Sequence, residues 1–275
     1  MRHRLSIRWV LTLTVVGISL TAMIIVSSVY SATATTMFNQ LGLRNMLQAM
    51  AQVSDKLSDH IGQVTSALNN VAKDIEETEN FNASQFLQGV RISAGTGDSI
   101  AALLFVDEYG KPILGLPSGE IKEGGGLTGM DWFQQAREAE VGQMVFSRPH
   151  VQNLYQGQYP WVVSVTKKVR YVQSGEPCIG IVMVDMLLTP LHDICRSVTL
   201  GSAGYPFILN KDDEIIFHPD QKLLSLELIS EESILVENTA QDGRSMALSQ
   251  DIAGTDWKLT GRVTADDIVQ NSVAF

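Results

Sequence analysis

The chain has 275 residues, 45% hydrophobic and 18% charged, a balance that excludes an intrinsically disordered protein. Twenty basic against thirty acidic residues give a net charge of −10, which argues against an electrostatic grip on nucleic acid. Two cysteines, Cys178 and Cys195, exclude a disulfide scaffold and a four-cysteine zinc site.

The charge is unevenly placed. Arg2, Arg4 and Arg8 open the chain, and no acidic residue precedes Asp55. The 22 residues from Trp9 to Tyr30 carry no charge. As a helix they span about 30 Å, the thickness of bilayer hydrocarbon. Trp9 and Tyr30 stand at the ends, where amphipathic rings favour the membrane interface. The preceding basic residues place 1–8 in the cytoplasm and everything beyond the span outside the cell membrane. Ala32-Thr33-Ala34 has the form of a signal-peptidase site, but the apolar run is longer than a signal peptide's usual core. Residues 9–30 therefore read as an uncleaved transmembrane helix.

Met37 to Thr78 contains no proline. Leu43, Met50, Leu57, Val64 and Val71 recur every seven residues; Met46 and Val53, then Ile61, Leu68 and Ile75, form a companion series shifted by one residue at His60. This spacing predicts one apolar stripe along a spine helix over 31–79. Few charges flank the stripe, so it is expected to pack on the chain's own body for most of its length, with homodimer contact near the membrane.

Strands then take over. Ile100–Val106 and Lys111–Leu116 read as a hairpin through Asp107-Glu108-Tyr109-Gly110. A glycine-containing loop over 117–129 leads to a short helix, DWFQQAREAE, with Asp131 as its expected N-cap. Strands are expected at 145–147, 161–169 and 178–185, then a helix over 189–198. A smaller set follows: 205–209 with 214–217, then 244–251 with 257–263, and a polar helix over 264–275. The fold class is α+β, two antiparallel sheets in tandem behind one long helix.

Five histidines (His3, His60, His150, His192, His218) are scattered without metal-ligand spacing, and no HExxH, GxSxG or P-loop string occurs. His218-Pro219-Asp220 reads as a strand end, and Asn82-Ala83-Ser84 as a loop rather than a glycosylation acceptor. Neither catalytic residues, nor a metal, nor a cofactor are expected in this segment, so it is not read as an enzyme. Cys178 and Cys195 are expected to stay unbridged, because a strand carries the chain about 23 Å between them.

After the anchor and the long helix come DWFQQA, SRPHVQ, YPWVVSVTKKV, GIVMVDM, LGSAGYPFILN and IIFHPD. In that order they resemble a double Cache sensor domain, most similar to the extracytoplasmic half of YesM-like bacterial sensor histidine kinases. The resemblance implies two PAS-like modules, membrane-distal over 80–200 and membrane-proximal over 201–264, with 265–275 starting a helix back to the membrane. It also implies a small-molecule pocket in the distal module and a signal, carried by the spine helix, to a kinase of a two-component system. A receptor of this plan needs a second span, expected beyond residue 275. A methyl-accepting chemotaxis receptor ectodomain and a non-signalling, membrane-anchored solute-binding module are the alternatives.

Trp132 and Phe133 offer aromatic surface at the start of the inserted helix, and Asp185 ends an apolar strand in a carboxylate. Resemblance to amino-acid-binding Cache sensors implies that these three match the aromatic pair and strand-end Asp that grip the ligand backbone. The basic residue of that pattern falls on Met130, and Arg148 is the candidate to replace its charge. His150 is a further candidate, and Tyr155, Tyr159 and Trp161 suit stacking against a sugar ring. A sugar or oligosaccharide and an amino acid or other carboxylate are both open as ligands.

Overall fold

The protein is seen in a computed structural model that describes residues 7–83, 99–117, 126–155, 157, 159–198, 200, 205–219 and 245–264. Helix α1 (Ile7–Glu77) is continuous over 71 residues, about 105 Å. In its first part Ile18, Met23, Ile24 and Val26 are 69, 72, 65 and 68% exposed. The hydroxyls of Ser19, Thr21 and Thr33 donate to carbonyls four residues back, at Val15, Gly17 and Val29, so they need no outside partner. Among the described residues no helix is long and apolar enough to cross a membrane.

From Met46 onward one face of α1 is buried. Met46, Met50, Val53, Leu57, Ile61, Val64, Leu68, Val71 and Ile75 advance by about 3.6 residues per step. That is the period of a straight helix lying on a surface, not the 3.5 of a supercoiled pair. The shift at His60 supplies the difference. The stripe packs on the chain's own sheets, across the strands Trp161–Gln173, Glu176–Leu187 and Ser245–Asp251.

The distal sheet contains β1 (Ile100–Asp107), β2 (Pro112–Leu116), β3 (Met144–Phe146), β4 (His150–Val151), β5 (Trp161–Gln173) and β6 (Glu176–Leu187). Their order is β2-β1-β6-β5-β3, with β4 also on β5, and every pairing is antiparallel. Strands β5 and β6 form one long hairpin from Val162↔Leu187 to Gln173↔Glu176. Its two-residue turn puts Ser174 at φ 54° and Gly175 at φ 82°, the left-handed pair such a turn requires. The Ser174 amide donates to Asn80 Oδ1 (3.0 Å) and the Phe81 amide to Val172 O (2.9 Å), tying the exit of α1 to this hairpin. Phe81, Phe105 and Tyr171 pack edge to face there.

Strand alternation divides the sheet into two faces. Leu103, Phe105, Val163, Val165, Val182 and Val184 face α1 and form one core with it. Ala102, Leu104, Ile181 and Met183 face the other way, beneath helix α2 (Asp131–Glu138) with its Trp132, Phe133 and Ala136. Met130, not Asp131, is the N-cap of α2: a 3-10 turn over Leu127–Gly129 delivers Met130 in an extended conformation. Asp131 instead sits in the first turn, where the helix dipole favours a negative charge. Lys168 Nζ closes the other end, donating to Arg137 O (2.5 Å) and Ala139 O (2.6 Å).

Helix α3 (Leu188–Arg196) leaves β6 without a break and buries Leu188, Leu191 and Cys195 in the core shared with α1. Cys178 and Cys195 are both free. The proximal sheet comprises β7 (Pro206–Leu209), β8 (Ile215–Phe217), β9 (Ser245–Asp251) and β10 (Lys258–Thr264) in the order β8-β7-β10-β9. It is bound to α1 by Ser54 Oγ donating to Asp251 O (2.7 Å) and the Ala253 amide donating to Ser58 Oγ (3.0 Å). Thr264 ends β10 rather than opening a helix. The expected helix over 265–275, residues 1–6 of the cytoplasmic tail, the 118–125 part of the glycine-containing loop, Ser84 and Asp220 lie outside the described residues.

Candidate ligand-binding site

Asp185 lies on β6 opposite Ala102 of β1 and Ser164 of β5. It faces α2, the side away from the spine, two residues along from Met183. Both cross-strand neighbours are small, so the carboxylate stands where the face has least side-chain bulk. It is only 1% exposed. Ser164 Oγ donates to Asp185 Oδ1 (2.5 Å), while Asp185 Oδ2 is buried without a partner.

The surroundings are polar in few and specific places. His150 Nε2 lies 3.4 Å from Ser164 Oγ, and His150 Nδ1 lies 3.0 Å from Arg148 O. Ser147, just beyond β3, binds Ser164 twice: its amide donates to Ser164 O (2.9 Å) and its hydroxyl accepts from the Ser164 amide (2.9 Å). Gln152 and Tyr155 are buried, and neither the Gln152 amide atoms nor the Tyr155 hydroxyl has a partner. Burial lifts the Asp185 carboxyl to about 6, against the Ser164 hydrogen bond and the nearby His150 and Gln152, which hold it down. Gln152 acts there by proximity, since its amide completes no well-formed hydrogen bond. Burial, with the Asp185 charge second, pushes the Tyr155 phenol up to about 12. Four unpartnered buried atoms thus belong to Asp185 itself and to the two residues beside its carboxylate, Gln152 and Tyr155. Buried polar groups are nearly always satisfied, and such a cluster is the mark of a site built to receive a polar group.

Trp132 and Phe133 of α2, both buried and 5.8 Å apart edge to face, form the roof with Leu154 and Tyr155. Trp132 and His150 line a cavity of about 400 Å³ together with Met130, Asp131 and Arg148. His150 therefore belongs both to the cavity wall and to the Ser164–Asp185 chain. The structure brings Trp132, Phe133, His150, Tyr155 and Asp185 together. It places three others elsewhere. Trp161 packs at the edge of the core shared with α1, and Tyr159 is 58% exposed. The Arg148 guanidinium is paired with Glu214 of the proximal module.

Ser147, Gln152 and Ser164 were not singled out from sequence. The signal for Ser164 was present in VVSVTKKV: a hydroxyl at a buried position of an alternating strand, on the face of Thr166. Ser147 and Gln152 had none, because irregular backbone on either side of β4 positions them. Among the described residues no three His, Cys, Asp or Glu side chains are grouped to hold a metal ion.

A family profile described as Cache domain, in its double form, matches residues 21–272. The chain belongs to the Cache domain family. The methyl-accepting chemotaxis protein TlpB of Bacillus subtilis (strain 168) is 25% identical over 180 residues, 65% of this chain and 25% of that protein. McpA of the same organism, also a methyl-accepting chemotaxis protein, is 24% identical over 146 residues, 50% of this chain and 20% of that protein. This chain spans about a quarter of the length of the first and a fifth of the second. These relatives are chemotaxis receptors, not the YesM-like kinases that the motif order resembles. The ligand-binding domain of Pseudomonas fluorescens chemoreceptor CtaA, solved with L-serine, superposes with a TM-score of 0.63 at 18% identity, covering 82% of this chain and 99% of that one. That of Pseudomonas aeruginosa PAO1 chemoreceptor PctC, solved with GABA, gives 0.60 at 14%, covering 79% and 97%. At these identities the likeness establishes the fold.

Proposed function

We propose that this chain is the extracytoplasmic sensing domain of a membrane-bound chemotaxis receptor, and that its distal pocket recognises an ammonium group. Residues 9–30 anchor it, with residues 1–8 in the cytoplasm and the two sheets outside. The lack of charge over this stretch, and the exposure of Ile18, Met23, Ile24 and Val26 within it, support this anchor. Homodimer contact runs along the part of α1 where Met37, Leu41 and Leu47 are exposed. In this reading the segment has no catalytic role. Both curated relatives are chemotaxis receptors, which favours that output over a histidine kinase.

The observation that carries the ligand class is Asp185 Oδ2, buried and unpartnered, with the Tyr155 hydroxyl and the Gln152 amide beside it. An ammonium group donates three hydrogen bonds and neutralises the buried carboxylate, while Trp132 and Phe133 cover the ligand's apolar part. L-serine and GABA, held by the solved neighbours, both carry such a group. Bound ligand shifts the equilibrium between two packings of α1 on the sheets, and the continuous helix conveys the shift.

Calorimetric titration of the full chain in detergent micelles at pH 7.5 tests the reading, with ethanolamine, GABA, L-serine and glucose as probes. Ammonium compounds are expected to bind, and Asp185→Asn to abolish their binding. Binding of glucose alone, preserved in Asp185→Asn, would overturn ammonium recognition in favour of a sugar.

A further inference from the structure

Arg148 stands between two cavities. It lines the 400 Å³ cavity walled by Trp132 and His150, where among the described residues it is the one lysine or arginine. It also lines a cleft of about 760 Å³ between the two modules. Its guanidinium is committed to the second: Arg148 Nε donates to Glu214 Oε2 (3.1 Å) and Nη2 donates to Glu214 Oε1, a two-pronged pair. Glu214 is held for this task. Asn210 Nδ2 donates to Glu214 Oε2 (2.8 Å), and Asn210 Oδ1 accepts from the amides of Asp212 (2.9 Å) and Glu214 (2.8 Å). The turn from β7 to β8 thus presents a fixed carboxylate to the distal module.

Bound by Glu214, Arg148 brings no net positive charge to the pocket. What remains is Asp131 on the cavity wall and, behind that wall, Asp185, which the lining residue His150 meets through Ser164; His150 is the one further titratable group among the described lining residues. A cation with no other charge fits such a site. A zwitterionic α-amino acid would set its carboxylate into it unpaired, and a buried unpaired charge is strongly disfavoured. Met130, two positions before Trp132 on the same wall, carries no charge, so no other described lysine or arginine there makes good the loss.

We propose that Glu214 sets the ligand class of the distal pocket by holding Arg148 out of it, so that the site takes amines in preference to the amino acids that carry an added α-carboxylate. Glu214 is a positioning residue, from the other module and 66 positions away in sequence. The inference rests on ammonium recognition by Asp185, and the test separates the two.

The probes are amine and amino-acid pairs that differ only by the carboxylate: ethanolamine with L-serine, histamine with L-histidine, 2-phenylethylamine with L-phenylalanine, and cadaverine with L-lysine. Each is titrated calorimetrically into the full chain in micelles at pH 7.5. In the wild type at least one amine is expected to bind about tenfold or more tightly than its amino acid. Glu214→Gln keeps the shape and frees Arg148, and the ratio is expected to fall about tenfold or more through a gain for the amino acid. Adding Arg148→Met to that variant is expected to remove the gain. Arg148→Met alone is expected to leave the wild-type preference intact, which keeps the idea testable should Glu214→Gln fold poorly. An unchanged ratio in a folded Glu214→Gln, a wild-type preference for the amino acids, or loss of amino-acid binding in Arg148→Met would each overturn the role of Glu214. Failure of every compound to bind the wild type would overturn ammonium recognition itself, and this inference with it.

Discussion

Asp185→Asn is expected to make the ligand-free protein more stable. An unfolded aspartate titrates near 3.8, and Asp185 in the fold titrates at about 6. A folded-state value above the unfolded one means that the native state holds the proton more tightly. Stability from this group is therefore complete below pH 3.8 and is lost as pH rises through 6. At about 1.4 kcal/mol for each tenfold difference in acidity, the ionised carboxylate costs about 3 kcal/mol at pH 7. The group is fully buried, so solvent does not dilute that figure. Asparagine keeps an oxygen to accept from Ser164 and brings a neutral NH₂ toward Gln152 Oε1, itself unpartnered. Allowing about 1 kcal/mol for imperfect geometry leaves a net gain of about 2 kcal/mol, or about 5 °C in melting temperature at pH 7. Differential scanning calorimetry of both proteins from pH 4 to pH 8 reads the effect as their difference. The gap should open between pH 4 and 6 and then stay level. A variant less stable than the wild type by the same amount at every pH would refute the reasoning, and would mean that Asp185 serves the sheet rather than a ligand.

Other outcomes follow from the same structure. Ser164→Ala removes a hydrogen bond that holds the Asp185 carboxyl down, so its midpoint should rise above the wild-type value. Ammonium binding in that variant should then require a higher pH, as calorimetric titration across pH 5–8 would register. Gly180→Ala would place a Cβ 2.7 Å from Val106 O and 2.5 Å from Phe105 Cε2. Backbone cannot move aside, so a loss of about 1–3 kcal/mol in chemical denaturation is expected at the β1–β6 pairing. Leu57→Ala, at the centre of the buried stripe of α1, should cost about 2–5 kcal/mol; a loss under 1 kcal/mol would mean that the helix does not rest on the sheets as seen.

Much of the architecture was legible locally. The stripe from Leu43 to Ile75, the hairpin 100–116 and the helix beginning at Asp131 each follow from a period or a turn signal within a few residues. Even the choice between a supercoiled pair and packing on the chain's own sheets was written in the shift at His60, which turns a seven-residue repeat into the 3.6 period of a straight helix. The family, too, was readable from the order of short motifs. Strand β4 was not legible, because two residues have no periodicity and are held by β5 alone. The N-cap of α2 moved by one residue because the preceding 3-10 turn, not the side chain of Asp131, delivers the chain.

The site divides along the same line. Trp132 and Phe133 could be named from sequence because they open an element, and Asp185 because an apolar run meets a carboxylate there, although β6 continues past it to Leu187. Whether they share a space depends on strand register, which sets Asp185 against Ser164 and Ala102 and turns it toward α2. Arg148 shows the limit most clearly. From sequence it was the cation nearest to hand for the missing basic residue at Met130. Its guanidinium goes instead to Glu214, a partner 66 residues away in another sheet, placed by Asn210 at a turn. Local patterns record how a chain alternates and turns. They carry no information on which of two surfaces a long, flexible side chain will meet, since that is fixed by the packing of two modules on one helix.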